Sequence, residues 1–228
     1  PCKGLDLELD ANLAKLFQQE YPNYGLCFIV ESLDDPAHDV IVQLSQRFPT
    51  SGCRVVVAGI ATNCGQKVHN LVAATRQIPD GVEVLAFADS DARPHPQWLS
   101  RLVQRLNNDK VGASTGYRWF SPRHISPPNW IACGINSMVS GVMGCHRFNL
   151  VWGGAWAMRV TTFCQLDLPA AWAGRCLPLS AGSASAVRLI SLPVLSRRTR
   201  SPLLVATSVW SGPAAAMRGA TPPVEKVH

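Results

Sequence analysis

The chain has 228 residues, 47% hydrophobic and 16% charged, a composition that supports one α/β domain with a sizeable core, alone or with an appendage. Its net charge of +6 is uneven: residues 1–167 hold 14 basic and 14 acidic side chains, and residues 168–228 hold seven basic ones against Glu225 alone. The neutral body has no basic face, which argues against nucleic-acid binding.

Leu9, Leu13, Leu16 and Phe17 recur at helical spacing, with Asp6 placed to cap and Glu8 in the first turn. After Tyr21-Pro22-Asn23, the run Leu26-Cys27-Phe28-Ile29-Val30 has the continuity of a buried strand and stops at Glu31-Ser32-Leu33-Asp34-Asp35-Pro36. Pro36 suits the first helical position and Asp35 the N-cap, and Val40, Ile41, Leu44 and Phe48 then mark one helical face. Val55 to Ala58 reads as the next strand, and Gly65 to Gln77 as a helix through Val68, Leu71 and Val72. Val82 to Ala88 is a third strand, followed by a helix defined by Trp98, Leu99, Leu102, Val103 and Leu106. A strand over 111–119, a helix through Ile131, Ile135, Met138, Val139 and Val142, and a glycine-containing strand over 151–158 complete the pattern. Such alternation predicts a mostly parallel sheet with helices on both faces.

Past Gly174 the periodicity fades, acids almost vanish, and prolines interrupt at 178, 193, 202, 213, 222 and 223. The expected division is a domain over 1–174 and an Arg/Ser/Ala/Pro-rich tail over 175–228, poorly structured or translated out of frame. Eight cysteines stand without Cys-x-x-Cys or zinc-finger spacing, so a reduced protein with neither disulfide framework nor structural zinc is expected. No signal peptide and no run of about 18 uncharged apolar residues is present, so no transmembrane segment is expected. The chain opens on Pro1-Cys2-Lys3-Gly4 and reads as a piece of something longer.

The chemistry lies where strands end. Val84-Leu85-Ala86-Phe87-Ala88 runs into Asp89-Ser90-Asp91-Ala92-Arg93-Pro94, two carboxylates one residue apart at a strand terminus. Ligands of α/β sheets sit at the carboxyl ends of strands, and hard oxygen pairs suit Mg²⁺ or Mn²⁺ bridging to phosphate. A plain strand followed by an Asp-capped turn explains the motif as well. Glu31, Asp34 and Asp35 end the earlier strand, so both acidic groups are expected on one sheet edge, the first near a base or ribose and the second near a diphosphate. Lys67, after the intervening strand, offers a positive charge to phosphate. Taken alone, Lys67 reads as a solvated helix residue and Asp35 as a helix cap.

Several segments then occur in order: Pro1-Cys2-Lys3-Gly4-Leu5-Asp6, Tyr21-Pro22-Asn23-Tyr24, Glu31-Ser32-Leu33-Asp34-Asp35-Pro36-Ala37, Lys67-Val68-His69-Asn70-Leu71, Asp89-Ser90-Asp91-Ala92-Arg93-Pro94 and Gly116-Tyr117-Arg118-Trp119. Over residues 1–174 this set resembles the ceramide glucosyltransferase branch of the family 2-like (family 21) glycosyltransferases. Trp152-Gly153-Gly154 resembles the small-residue segment beside that family's donor and acceptor pocket; an edge strand with a bulge reads equally well there.

The resemblance implies an incomplete GT-A-like (Rossmann-like) α/β fold. It implies inverting transfer from a UDP-sugar to a lipid hydroxyl, with ceramide or a diacylglycerol-like molecule as acceptor. By position Asp35 matches the family's first essential Asp, and Asp89 the second, with Asp91 completing a metal-binding Asp-x-Asp for Mg²⁺ or Mn²⁺. The full-length parent is expected at the cytoplasmic face of a membrane. The chain also departs from the family. Arg175-Cys176-Leu177-Pro178 stands where an acidic stretch with the third Asp, the supposed general base, belongs. The Gln/Arg-x-x-Arg-Trp motif, the membrane helices and most of the first strand are missing as well. The catalytic base therefore has no residue here, and impaired turnover is expected. Two rivals remain: a haloacid-dehalogenase-like phosphohydrolase, although Arg93 stands where Thr or Val is usual, and a non-catalytic remnant with a basic tail.

Overall fold

In the computed structural model, which describes residues 2, 4–5, 8–49, 52–117, 119–122, 126–142, 151, 154–173, 203–208 and 224–227, strand β1 (Tyr24–Val30) is buried along its last five residues. Its alternating side chains sort the core into two layers. Leu26, Phe28 and Val30 pack with α1 (Leu9–Phe17), α2 (Pro36–Arg47) and α4 (Trp98–Gln104). Cys27 and Ile29 face the opposite layer, with Ala74 of α3 (Gln66–Thr75) and Phe163 of α6 (Val160–Gln165). Strand β3 (Val84–Asp89) repeats the division, Val84, Ala86 and Ala88 to the first side and Leu85 and Phe87 to the second. Continuous apolar runs are thus explained: each strand is covered on both faces.

Aromatic side chains close both layers. Phe17 stacks on Phe28 and on Phe48, with ring centroids 5.6 Å apart in each pair. On the other side Phe87 lies 4.1 Å from Trp156, and Trp172 of α7 (Leu168–Ala173) meets both rings edge-on.

The main sheet has the order β2-β1-β7-β3-β6-β4, with β2 at Gly52–Val57, β4 at Ala113–Thr115, β6 at Ala155–Arg159 and β7 at Leu203–Ser208. The first four strands are mutually parallel, and β6 runs antiparallel to both β3 and β4. This is the mixed α/β arrangement, mostly parallel with helices on both faces, of a partial GT-A-like domain. A second sheet pairs β5 (Trp119–Pro122) with β8 (Val224–Val227), and α5 spans Pro127–Val142.

Two expectations change in detail. The strand expected over 111–119 divides into β4 and β5, because the chain turns away at Gly116. There the backbone N donates to Ala155 O, and a Cβ at 116 would come within 3.3 Å of Ala155 Cβ. The strand expected over 151–158 starts later, at Ala155. Within the stretch beyond 174, the two described segments, β7 and β8, are strands. Beyond Cys27, the last residue of β1 that pairs with β7, Cys2 N donates to Ile29 O on the edge of β1 turned away from β2, since Val30 O accepts from Ala58 N.

Candidate functional site at the carboxyl edge of the sheet

Because β1, β7 and β3 are parallel, their carboxyl ends share one edge. Cys27 and Phe87 both pair with Ala206, so Asp89 lies level with Ile29, one strand removed. Two inter-strand steps separate β1 from β3 by about 10 Å. Glu31 and Asp34, which follow β1, and Asp89 and Asp91, which end and follow β3, therefore rise from the same rim.

The first acidic group is organised by helix capping. Pro36 fixes the first turn of α2, and Asp35 Oδ1 accepts from Ala37 N at 2.9 Å and from Gly4 N at 2.8 Å. One carboxylate oxygen thus fastens both the N-terminal segment and the helix start. Asp34 is exposed and accepts from Ser32 Oγ at 3.2 Å, while Asp34 N donates to the same hydroxyl. Glu31 is half-buried, and its carbonyl accepts from Gly59 N, joining the β1–α2 and β2–α3 turns.

The second group is electrostatic. Lys67 Nζ lies 2.8 Å from Asp89 Oδ1, with side-chain exposures of 28% and 15%. The lysine comes from the first turn of α3, whose start is held by Gln66. Gln66 Nε2 donates to Gly59 O and Asn70 Oδ1, and Gln66 Oε1 accepts from Ala61 N. His69 bonds Ala58 O at 2.8 Å and so braces the same loop. Asp89 N donates to Gly154 O at 3.1 Å, which ties the acid to the turn before β6. Ser90, between the two acids, is 1% exposed.

Near the end of β3 a cleft of about 360 Å³ opens, lined among others by Ala88, Ala92, Trp98, Thr115, Tyr117 and Gly154; Asp89, Asp91 and Lys67 do not line it. Of the glycine segment singled out in the sequence, Gly154 reaches this cleft; Trp152 and Gly153 lie outside the described residues, as does Asp6. The lining mixes small residues and aromatic rings with His95, Arg101 and Arg105.

Asp35 and Asp89 thus share an edge, but each is held by its own partners. Among the described residues no group of three or more His, Cys, Asp and Glu side chains could cage a metal ion. Mg²⁺ bound through one or two carboxylates, with phosphate and water in the other positions, needs no such cage. Asp89 and Asp91 fit that mode, with Lys67 as the charge that holds Asp89 otherwise.

Two supporting residues escape sequence reasoning. Arg93 anchors the turn after Asp91 to Asn12 and Glu8 on and before α1. Buried Gln19 accepts from Leu99 N at the start of α4 and donates to Lys15 O and His95 O. The partners of Gln19 on the α4 side lie 76 and 80 residues away, so no local pattern signals it.

Residues 1–124 match the family model described as glycosyl transferase family 21, and the chain belongs to that family. Within it, the chain is similar to ceramide glucosyltransferases. The ceramide glucosyltransferase of Komagataella phaffii is 30% identical over 112 residues, which is 47% of this chain and 21% of the relative. Ceramide glucosyltransferase 3 of Caenorhabditis elegans is 29% identical over 76 residues, 33% of this chain and 17% of the relative. The chain therefore spans about a fifth of the length of the curated relatives it matches. No solved structure matches it. Among the described residues no helix is long and apolar enough to cross a membrane.

Proposed function

We propose that residues 1–174 form the donor-binding part of a glycosyltransferase that moves a sugar, with inversion, from a UDP-sugar to the hydroxyl of a ceramide-like or diacylglycerol-like lipid. The observation that carries this reading is the Lys67–Asp89 pair at the carboxyl edge of parallel strands, the edge from which the acids that follow β1 also rise. A lysine beside the last acid of β3 is suited to a diphosphate, and Asp35 with Glu31 and Asp34 offers acceptors for ribose or base. Mg²⁺ or Mn²⁺ on Asp89 and Asp91 would neutralise charge on the departing diphosphate. The membrane face on which the parent enzyme works is taken as the cytoplasmic one.

In-line attack by a lipid hydroxyl requires a general base. After Asp167 the next acid in the sequence is Glu225. This chain therefore binds donor weakly and does not turn over unaided. Thermal unfolding with UDP, Mn²⁺ and both together tests the binding claim: stabilisation that needs both is expected, and none with any combination would refute it. Sugar transfer to ceramide or diacylglycerol by the purified chain would overturn the claim of impairment alone.

A further inference from the structure

Helix α5 is built inside out. Asn129 and Asn136 are each 4% exposed, whereas Trp130, Ile131, Ile135 and Met138 are 67%, 64%, 60% and 75% exposed. At about 100° per residue the four apolar side chains fall on one side and the two asparagines opposite. The helix contains no charged residue. A soluble helix normally turns such a stripe to the core, and an exposed apolar face of this kind marks an interaction surface.

The sequence around the helix indicates what that is. Between Asp109 and Asp167 there is no acid, and Lys110, Arg118, Arg123, Arg147 and Arg159 are the charged residues, of which Arg159 is already held by Asp109 and by Val111 O. A large apolar face with Trp, flanked in sequence by Arg118, Arg123 and Arg147 and by no acid, is suited to the interface of an anionic bilayer. The span is 16 residues, about 24 Å, and it is suited to lying in the plane of the surface. We propose that α5 docks this chain on anionic lipid through Trp130, Ile131, Ile135 and Met138. Tyr117, which lines the cleft near the end of β3, donates its hydroxyl to Asn136 O on the inward side of α5. Docking through α5 therefore sets the cleft at the membrane surface, where the hydroxyl of an amphiphile lies. The proposal stands on the helix itself and does not depend on the donor reading.

The test is sedimentation of the full chain with vesicles of phosphatidylcholine alone and of phosphatidylcholine with phosphatidylglycerol. Binding to the anionic vesicles is expected, with quenching of tryptophan emission by bromine-labelled acyl chains that falls in Trp130→Phe. The double variant Ile131→Glu with Met138→Glu is expected to lower partitioning by at least about tenfold. Its thermal unfolding should be unchanged, because both positions are exposed. Equal binding by the double variant would assign the interaction to the basic stretch beyond 174 and overturn the proposal. Absence of vesicle binding, with a dimer that the double variant converts to monomer, would make this face a contact between copies and overturn it too.

Discussion

Arg93 Nε donates to Asn12 Oδ1 at 2.7 Å across 81 residues of sequence, and its terminal nitrogen meets Glu8 Oε2 at 2.6 Å. The turn that carries Asp91 is thereby hung on α1. Asn12 is 6% exposed, so removing its donor strands a buried oxygen, at a cost of about 1–3 kcal/mol. Glu8 is 48% exposed, and its pair adds at most about 1 kcal/mol. Arg93→Ala is expected to lower the melting temperature by several degrees, about 2–4 °C for each kcal/mol. Weaker binding of UDP with Mn²⁺ should accompany it. Unchanged melting would show that the turn is held by other contacts.

Lys67 and a divalent cation compete for Asp89. With Nζ at 2.8 Å from Oδ1, Lys67 already neutralises the carboxylate. Lys67→Ala is expected to tighten Mn²⁺ binding in the absence of nucleotide and to weaken UDP binding by about tenfold, some 1.4 kcal/mol for one charge-assisted contact. Calorimetric titration of each ligand into wild type and variant checks both signs. Loss of Mn²⁺ binding in the variant would mean that the lysine supports the site by packing and not by charge.

Asp35 has a structural role whatever else it does, and two substitutions separate the roles. Asp35→Asn keeps an oxygen for Ala37 N and Gly4 N, so stability should fall by less than about 0.5 kcal/mol, whereas Asp35→Ala loses the cap at about 1 kcal/mol. If the carboxylate also receives the donor nucleotide, both variants lose UDP affinity to a similar degree. Retained affinity in Asp35→Asn would confine the residue to capping. Urea midpoints and UDP titrations, taken together, distinguish the cases.

Where the sequence carried a short-range signal, the structure follows it. Pro36 after Asp35 announced the start of α2, and the apolar runs before Glu31 and Asp89 announced strands covered on both faces. The shared edge of the two acidic groups followed from the parallel connection alone. What escaped was everything that depends on distant partners. Gln19 and Arg93 look like ordinary surface polar residues until α1 and α4 are brought together. The insertion of β7 between β1 and β3 had no periodic signature, because residues 203–208 lie among prolines in an acid-poor stretch. Nor does periodicity alone tell an inward from an outward apolar face, which is why α5 was legible as a helix but not as an inverted one.

Cys53 responds to pH in a fixed direction. Burial pushes its thiol from 9.0 up to about 11, with the neighbouring Cys27 adding to the rise. Below pH 9 both folded and unfolded chains keep this proton, and the contribution is fully present. Between 9 and about 11 the unfolded chain releases the proton while the folded one retains it, so stability falls as pH rises through that window. Cys53→Ala should flatten this part of the stability profile measured by urea unfolding. A profile equally steep in the variant would assign the loss to other groups, Tyr21 among them, since burial and the Glu83 carboxylate raise its phenol as well.

Strand β7 occupies the lane between β1 and β3, pairing from Tyr24↔Leu203 to Cys27↔Ala206 on one side and from Val84↔Leu203 to Asp89↔Ser208 on the other. Its backbone thus connects the strand that leads to Asp35 with the strand that ends in Asp89. Proline at a central strand position removes a ladder donor and is confined in natural sheets to edges and bulges. Val205→Pro is therefore expected to destabilise the chain by on the order of 3 kcal/mol, and to increase amide exchange in β1 and β3 together. Substitution of the same residue by Ile, which keeps the ladder and the β-branched shape, should leave both readouts unchanged. A chain ending at residue 174 should behave like the proline variant. If it unfolds at the same urea midpoint as the full chain, β1 and β3 are held in register without β7, and the spacing between the two acidic groups must be set by another strand in that lane.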